Sequence, residues 1–214
     1  MTSVSNQLNG LYVITNHQEL SDEKLVDDVL LAIQGGAKII QYRDKSLSQD
    51  KRLRQAQKLS ELSKQHDVIF IVNDDIDLAS AVKADGVHLG GEDESIESAR
   101  SKLGKNAIIG VSCYNQFELA LKAQQQGASY AAFGRFFQSS TKPGEIYASV
   151  ELLQQAHKDL NIPIVAIGGI SYENAAPLIQ AGADMIAVID SVFGQDDIKR
   201  AARQFQLLFK QQDS

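Results

Sequence analysis

Short apolar runs recur along the whole chain, and polar or glycine-rich residues follow directly after most of them. Eight runs have the length and composition of strands that are buried on both faces, as in a parallel sheet. The predicted strands cover residues 11–15, 38–42, 68–72, 86–89, 107–111, 130–133, 163–167 and 185–189. Side chains that could bind a ligand or take part in a reaction are therefore concentrated at the ends of predicted strands.

The segments between these runs have apolar residues three and four positions apart, as in Leu25, Val29 and Ile33, which predicts amphipathic helices. Three of these segments end in a glycine just before the next run, at Gly36, Gly127 and Gly182. Glycine can adopt the left-handed conformation that ends a helix. The chain is therefore predicted to alternate strand and helix throughout.

An alternation of eight strands and eight helices predicts a single (β/α)8 TIM barrel. An open doubly wound sheet gives the same local alternation, but eight units fit the length, and no early Gly-x-Gly-x-x-Gly marks a dinucleotide-binding fold. We expect one domain over residues 1–214, with a barrel core at about 10–194 and a C-terminal helix at about 195–212. In such barrels, the chemistry lies at the carboxyl ends of the strands.

Composition and charge argue against several classes of binding partner. The 214 residues carry a formal charge of −6 with acidic and basic residues intermixed, which disfavours a nucleic-acid partner. No apolar run approaches the roughly 18 residues that a membrane span needs, and no cluster of Cys and His has zinc-site spacing. Cys113 is the single cysteine, and no charged leader precedes an apolar run, so we expect a cytoplasmic protein. The pattern does not indicate an oligomeric state.

Two cations follow the second predicted strand, in the segment Gln41-Tyr42-Arg43-Asp44-Lys45. Gln41, Arg43 and Lys45 alternate, so they point to one side of an extended segment. An Arg fork and a Lys ammonium together suit a diphosphate. The alternative is a solvated loop in which these cations pair with Asp44.

Carboxylates follow the third and fourth strands. Asn73, Asp74 and Asp75 come after the third strand, whereas His88 and Asp93 belong to the fourth and its loop. Adjacent barrel strands could bring Asp74 and Asp93 together, and a few oxygen ligands beside phosphate-binding cations suit magnesium. The alternative is that Asp75 and Asp93 cap helices, and His88 is either a general base or a hydrogen-bonded structural residue.

The later strands end in segments suited to phosphate groups. Ser112 and Cys113 end the fifth strand, and Cys113 lacks an evident activating base, so we interpret it as a packing residue. A hydroxyl-rich loop with one cation follows the sixth strand; its residues include Ser139, Ser140, Thr141 and Lys142. After the seventh strand, Gly168-Gly169 allows backbone amides to approach a ligand. The loops after strands seven and eight form the usual phosphate position of the fold.

Taken in order, these segments resemble the thiamine phosphate synthase family over essentially residues 10–194. The resemblance is carried by Gln41-Tyr42-Arg43-Asp44-Lys45, Val72-Asn73-Asp74, Asp85-Gly86-Val87-His88-Leu89-Gly90 with Asp93, Gly110-Val111-Ser112, Ser139-Ser140-Thr141-Lys142 and Ile167-Gly168-Gly169-Ile170. The family joins a hydroxymethylpyrimidine diphosphate to a thiazole phosphate, forming thiamine phosphate and pyrophosphate with magnesium (Mg²⁺). The partners implied are small-molecule substrates.

The resemblance also implies roles for individual residues. The pyrimidine diphosphate would contact Gln41, Arg43, Lys45, Asn73, Ser112 and Lys142. The metal would be held by Asp74 and Asp93. The thiazole phosphate would contact Ser139, Ser140, Thr141, Gly169, Ile189 and Asp190. Arg43, Lys45 and Lys142 would neutralise the charge that builds up on the departing diphosphate.

This chain departs from the family pattern at three positions. Gly91 stands where glutamine is frequent, Ser139 where threonine is common, and Asp190 where serine is usual. A carboxylate beside a phosphate is repulsive unless Asp190 points away, for example as a helix cap. Three alternatives have other functions: a thiazole tautomerase, a phosphosugar epimerase of the same fold, and a non-catalytic phosphate-ligand-binding barrel. The tautomerase has no departing diphosphate, and the histidine and carboxylate ring of the epimerase is not evident.

Overall fold

Each of eight strands is followed by a helix in the computed structural model, which describes residues 7–15, 20–45, 48–91, 93–138 and 148–210. The strands are β1 (Gly10–Ile14), β2 (Ile39–Tyr42), β3 (Ile69–Asn73), β4 (Gly86–Leu89), β5 (Ile108–Tyr114), β6 (Tyr130–Gly134), β7 (Ile164–Ile167) and β8 (Met185–Val188). The helices are α1 (Asp22–Gly35), α2 (Gln49–Gln65), α3 (Ile76–Ala81), α4 (Ile96–Leu103), α5 (Phe117–Gln125), α6 (Val150–Asp159), α7 (Tyr172–Gln180), α8 (Asp190–Phe193) and α9 (Ile198–Lys210).

The eight strands are parallel, pair in chain order and close into a barrel when β8 pairs with β1. This arrangement confirms the predicted (β/α)8 barrel. The predicted strand limits are correct to within three residues. β7 begins at Ile164 rather than Pro163 because proline has no N–H to donate to the ladder. β5 runs on to Tyr114, past a register shift against β6.

Alternation along each strand divides the core into two layers. One layer fills the barrel interior and includes Tyr12, Ile39, Ile71 and Tyr130. The other lies between the barrel and the helices. Successive residues of one strand therefore serve different layers: the Tyr42 hydroxyl donates to Gln55 of α2 on the outside, whereas Gln41 lies inside the barrel.

Serine side chains cap the start of four helices, and the three predicted stop glycines follow helix ends. The Ser21, Ser48, Ser95 and Ser149 hydroxyls accept hydrogen bonds from the first turns of α1, α2, α4 and α6. The three predicted stop glycines have φ values of 108°, 86° and 104°. After the barrel, α9 packs against α1, and residues 211–214 lie outside the described part. Among the described residues, no helix combines the length and apolar character that crossing a bilayer requires.

Candidate active site

The carboxyl end of the barrel is built first from β1 and β2. Thr15, directly after β1, is buried, and its hydroxyl accepts from the Arg43 N–H at 2.9 Å and donates to the Arg43 carbonyl at 3.2 Å. These two bonds fix the backbone of Arg43 one residue beyond β2. The sequence did not indicate this role for Thr15, whose only signal was a hydroxyl at the end of a strand.

Lys45, Asp74 and Asp93 form one charged cluster at the ends of β2, β3 and β4. The Lys45 Nζ lies 2.9 Å from Asp74 Oδ2, and the Asp74 and Asp93 carboxyl groups lie close enough to shift each other's pKa. Like charges on two neighbouring carboxyl groups repel, which opposes ionisation of both groups at once. Partial burial raises the pKa of the Asp93 carboxyl group, and neighbouring Asp74 raises it further. Burial also opposes ionisation of Asp74, but the interactions with Lys45 and Asp93 outweigh burial, so the pKa of Asp74 is lowered.

The cluster fits a magnesium ion by its chemistry. Mg²⁺ is commonly held by one or two carboxylates, with substrate phosphates and waters completing its shell. In the described ranges, no group of three or more His, Cys, Asp or Glu side chains is arranged to hold a metal. The backbone of Asp74 has a φ of 62°, a left-handed conformation that costs energy in a non-glycine residue and that recurs at functional sites.

Helix capping was an alternative to metal binding for both Asp75 and Asp93, and the structure shows which of the two caps a helix. Asp75 is the N-cap of α3: its side chain accepts from the Leu78 N–H and pairs with Arg52 at 2.8 Å. Capping is therefore confirmed for Asp75. For Asp93 the capping alternative is wrong, because Ser95 caps α4 and leaves the Asp93 carboxyl to accept from the Gly90 N–H and contact Asp74.

A chain of hydrogen bonds crosses the barrel interior beneath this cluster. Gln41 Nε2 donates to the Tyr12 hydroxyl at 2.6 Å, and that hydroxyl lies 2.8 Å from the Tyr130 hydroxyl. The Tyr130 hydroxyl lies 3.0 Å from Nδ1 of His88, whose Nε2 lies 2.9 Å from Ser112 Oγ. Gln41 and Ser112, on β2 and β5, are thus joined through three residues.

Aromatic packing keeps this chain in place. The Tyr12 and Tyr130 rings meet edge to face at 81°, and the His88 ring stacks on Tyr130 at a centroid distance of 5.7 Å. Gly110 makes room for Tyr130, because a Cβ there would lie 1.9 Å from the ring carbon Cζ. Neither tyrosine was among the predicted site residues, although an inward-facing tyrosine in a barrel strand needs a hydrogen-bond partner. The structure favours the hydrogen-bonded interpretation of His88.

The loops after β7 and β8 meet on the opposite side of the mouth. The Ser191 hydroxyl donates to the Ile170 carbonyl at 2.6 Å, which joins α8 to the loop that contains Gly169. Ile189 is the N-cap of α8, and Asp190 is its first residue rather than its cap. Capping this helix, one way in which the Asp190 carboxylate could point away from a phosphate, is therefore ruled out.

Gly169 has a structural reason to be glycine. Its φ is 67°, and a Cβ would lie 2.5 Å from the Gln138 carbonyl oxygen and 2.6 Å from that of Phe137. Gly169 therefore allows the loop after β7 to pass close to the loop after β6. A phosphate contact from its backbone remains a prediction.

Several predicted site residues stand at strand ends or outside the described ranges. Asn73 is the last residue of β3. Ser139, Ser140, Thr141 and Lys142 lie outside the described residues. At the variant position Gly91, which is exposed, the N–H donates to the Tyr114 hydroxyl at 3.3 Å, so an aromatic side chain from β5 lies beside the glycine.

Cys113 is fully buried, and burial raises the pKa of its thiol to about 12. Because the thiolate is the reactive form, we expect a disulfide reagent such as Ellman's reagent at pH 8 to label native Cys113 about a thousandfold more slowly than the unfolded chain. A Cys113→Ala variant provides the blank. Rapid labelling of the folded protein would show an accessible thiolate beside Ser112 and would contradict the packing role.

Comparison with known proteins adds an independent finding. The family model described as thiamine monophosphate synthase matches residues 11–192. A thiamine-phosphate synthase of Nitrosococcus oceani is 49% identical over 96% of this chain and 95% of its own length. One from Nitrosospira multiformis is 48% identical over 96% of this chain and 88% of its own length.

Solved structures agree. A thiamine phosphate pyrophosphorylase from Pyrococcus furiosus superimposes with a TM-score of 0.85 at 36% identity, covering 98% of each chain. A 3-hexulose-6-phosphate synthase superimposes with a TM-score of 0.66 at 18% identity, covering 92% of this chain and 99% of its own. That second likeness shows the barrel fold alone.

Proposed function

The chain belongs to the thiamine monophosphate synthase family, and we propose that the mouth of its barrel performs the family's reaction with the side chains described above. The enzyme is a transferase that joins 4-amino-2-methyl-5-(diphosphomethyl)pyrimidine to 4-methyl-5-(2-phosphoethyl)thiazole. The products are thiamine phosphate and pyrophosphate. The observation that carries the assignment of this site is the cluster of Lys45, Asp74 and Asp93 at three successive strand ends.

The reaction breaks the bond between the pyrimidine methylene carbon and a diphosphate oxygen and forms a bond between that carbon and the thiazole nitrogen. The diphosphate leaves with the electron pair of the broken bond, so negative charge builds up on it. Arg43, Lys45 and Lys142 stabilise that charge and thereby lower the barrier. No protein nucleophile is needed, which is consistent with the buried state of Cys113.

Asp74 and Asp93 would hold magnesium, and the finding in their favour is that their carboxyl groups are already in contact. When bound, the ion supplies positive charge to the diphosphate oxygens, which makes the diphosphate a better leaving group. Lys45, whose ammonium pairs with Asp74, would also neutralise a phosphate oxygen.

The remaining predicted contacts orient the two substrates. Gln41, Asn73 and Ser112 would contact the pyrimidine diphosphate. The thiazole phosphate would be bound by Ser139, Ser140, Thr141, Gly169, Ile189 and Asp190. Holding the two partners close together in a barrel mouth supplies much of the remaining acceleration. We also propose a cytoplasmic location, which the single buried cysteine supports.

A thiazole tautomerase and a non-catalytic binding barrel make different demands on the site. Neither needs to neutralise a departing diphosphate. The contact between Asp74 and Asp93 beside Lys45 supports the synthase, because it joins two carboxylates that could hold a metal to a cation.

The experiment that tests this function follows both products from the two substrates, with and without magnesium. We expect thiamine phosphate and pyrophosphate to appear in equal amounts and only when magnesium is present. Equal rates after chelation would remove the metal from the proposal. Binding of both substrates without either product would favour the non-catalytic barrel.

A further inference from the structure

The hydrogen-bonded chain beneath the mouth contains three side chains that the proposed mechanism does not use: Tyr12, Tyr130 and His88. Tyr12 and Tyr130 are fully buried inside the barrel. Burial raises the pKa of both hydroxyls, so both remain protonated at neutral pH. Each hydroxyl can therefore donate one hydrogen bond, so donation along this series of hydrogen bonds must run in one direction.

The direction follows from the donor at the Gln41 end. The Gln41 amide donates to the Tyr12 oxygen. Within the described part of the chain, the other partner of the Tyr12 hydroxyl is the Tyr130 oxygen, so Tyr12 donates to Tyr130. Tyr130 then has its own proton to donate, and Nδ1 of His88 is the nitrogen within reach at 3.0 Å.

An imidazole nitrogen that accepts a hydrogen bond carries no proton, so the neutral His88 ring is protonated at Nε2. Nε2 lies 2.9 Å from Ser112 Oγ, so a protonated Nε2 donates to that oxygen. The Ser112 hydroxyl, already accepting from the ring, has its own proton available for a substrate acceptor. The opposite direction would make Ser112 donate to His88 and would leave the buried Tyr12 proton without an acceptor, which is costly.

We propose that Tyr130 is a positioning residue that holds His88 in the Nε2-protonated tautomer, so that Ser112 presents its hydroxyl proton to the pyrimidine diphosphate substrate. This inference rests on the proposed function, because it assumes that Ser112 contacts that substrate. Tyr12 has a different role: it orients the Gln41 amide, and it is connected to His88 only through Tyr130.

The tautomer can be measured without turnover. Histidine labelled with ¹⁵N at both ring nitrogens gives NMR shifts that distinguish a protonated from an unprotonated nitrogen. A His88→Asn variant identifies the His88 signals among the four histidines. We expect protonated Nε2 and unprotonated Nδ1 at a pH where the ring is neutral; the reverse pattern overturns the proposal.

Two matched variants separate positioning from packing. Tyr130→Phe and Tyr12→Phe each remove one buried hydroxyl and keep the ring. Tyr130→Phe should shift His88 toward the Nδ1-protonated tautomer and lower kcat/KM by about tenfold to a hundredfold. Tyr12→Phe should leave the His88 tautomer unchanged, because Tyr130 still donates to Nδ1. Equal NMR changes in both variants would overturn the proposal, since a purely structural role makes them equivalent.

A double variant tests whether Tyr130 acts through Ser112. If it does, Ser112→Ala combined with Tyr130→Phe loses no more kcat/KM than Ser112→Ala alone, since side chains that act as a unit are not additive. Additive losses overturn the proposal. Circular dichroism confirms that each variant is folded. A wild-type protein that makes no thiamine phosphate would instead overturn the proposed function, and the tautomer would then decide this inference alone.

Discussion

Asp74→Asn is expected to lower kcat/KM about a hundredfold and to raise the magnesium concentration needed for half-maximal rate. The substitution keeps the size of the side chain and removes the charge that would bind the ion, and a loss of about 3 kcal/mol in stabilising the departing diphosphate corresponds to about a hundredfold. Asparagine also tolerates the left-handed backbone that Asp74 adopts at φ 62°. Initial rates over a magnesium titration measure both effects.

The fold should withstand this change. The ion pair with Lys45 is largely exposed on the Lys45 side, and exposed pairs contribute roughly 0–1 kcal/mol. Thermal unfolding of Asp74→Asn should therefore nearly match that of the wild type. A large fall in melting temperature would show that Asp74 serves the fold rather than the reaction.

Asp75→Asn is the matched control, because it removes the same charge from the next residue. Asp75 caps α3 and pairs with Arg52, and asparagine caps a helix about as well as aspartate. We expect an unchanged magnesium dependence. If both variants raised the magnesium requirement equally, the effect would come from net charge at the mouth, and Asp74 would no longer be a metal-ligand candidate.

Gly110→Ala is expected to have the second large effect, on both stability and turnover. A Cβ at this position would lie 1.9 Å from Cζ and 2.3 Å from Cε2 of the fully buried Tyr130 ring. Overpacking of this kind costs about 3 kcal/mol, which lowers the melting temperature by roughly 6–12 °C in a domain of this size. Displacement of Tyr130 should also lower kcat/KM at least about tenfold, at temperatures where the variant is folded.

A second substitution separates the packing effect from the chemical one. Tyr130→Leu removes the ring atoms that the added methyl group would meet, so the double variant should unfold at a higher temperature than Gly110→Ala alone. Its kcat/KM should stay low, because the hydroxyl that bonds His88 is gone. Recovery of both quantities would show that the Tyr130 hydroxyl has no part in the reaction.

The positions of the strands could be predicted because buried parallel strands need continuous apolar runs, and the runs are visible in the sequence. The charged cluster could also be predicted from the sequence. Lys45, Asp74 and Asp93 follow three successive strands, and the geometry of a parallel barrel brings successive strand ends together.

Other features could not be predicted from local patterns. Asp93 and Ser95 both have side chains that cap helices, and only the backbone path shows that Ser95 is the cap. Thr15 holds Arg43 through contacts between residues 28 positions apart. Tyr12 and Tyr130 meet across 118 positions, so no window of sequence contains their hydrogen bond.

Hydrophobic periodicity and chain order act locally or between neighbouring strands, so they were enough to predict the barrel, its strand order and the charged residues around the mouth. They could not predict which polar groups meet inside the barrel, as in the hydrogen-bonded chain from Gln41 to Ser112. A buried hydroxyl must find a partner wherever the closed sheet brings one, and closure joins residues that lie far apart in the chain.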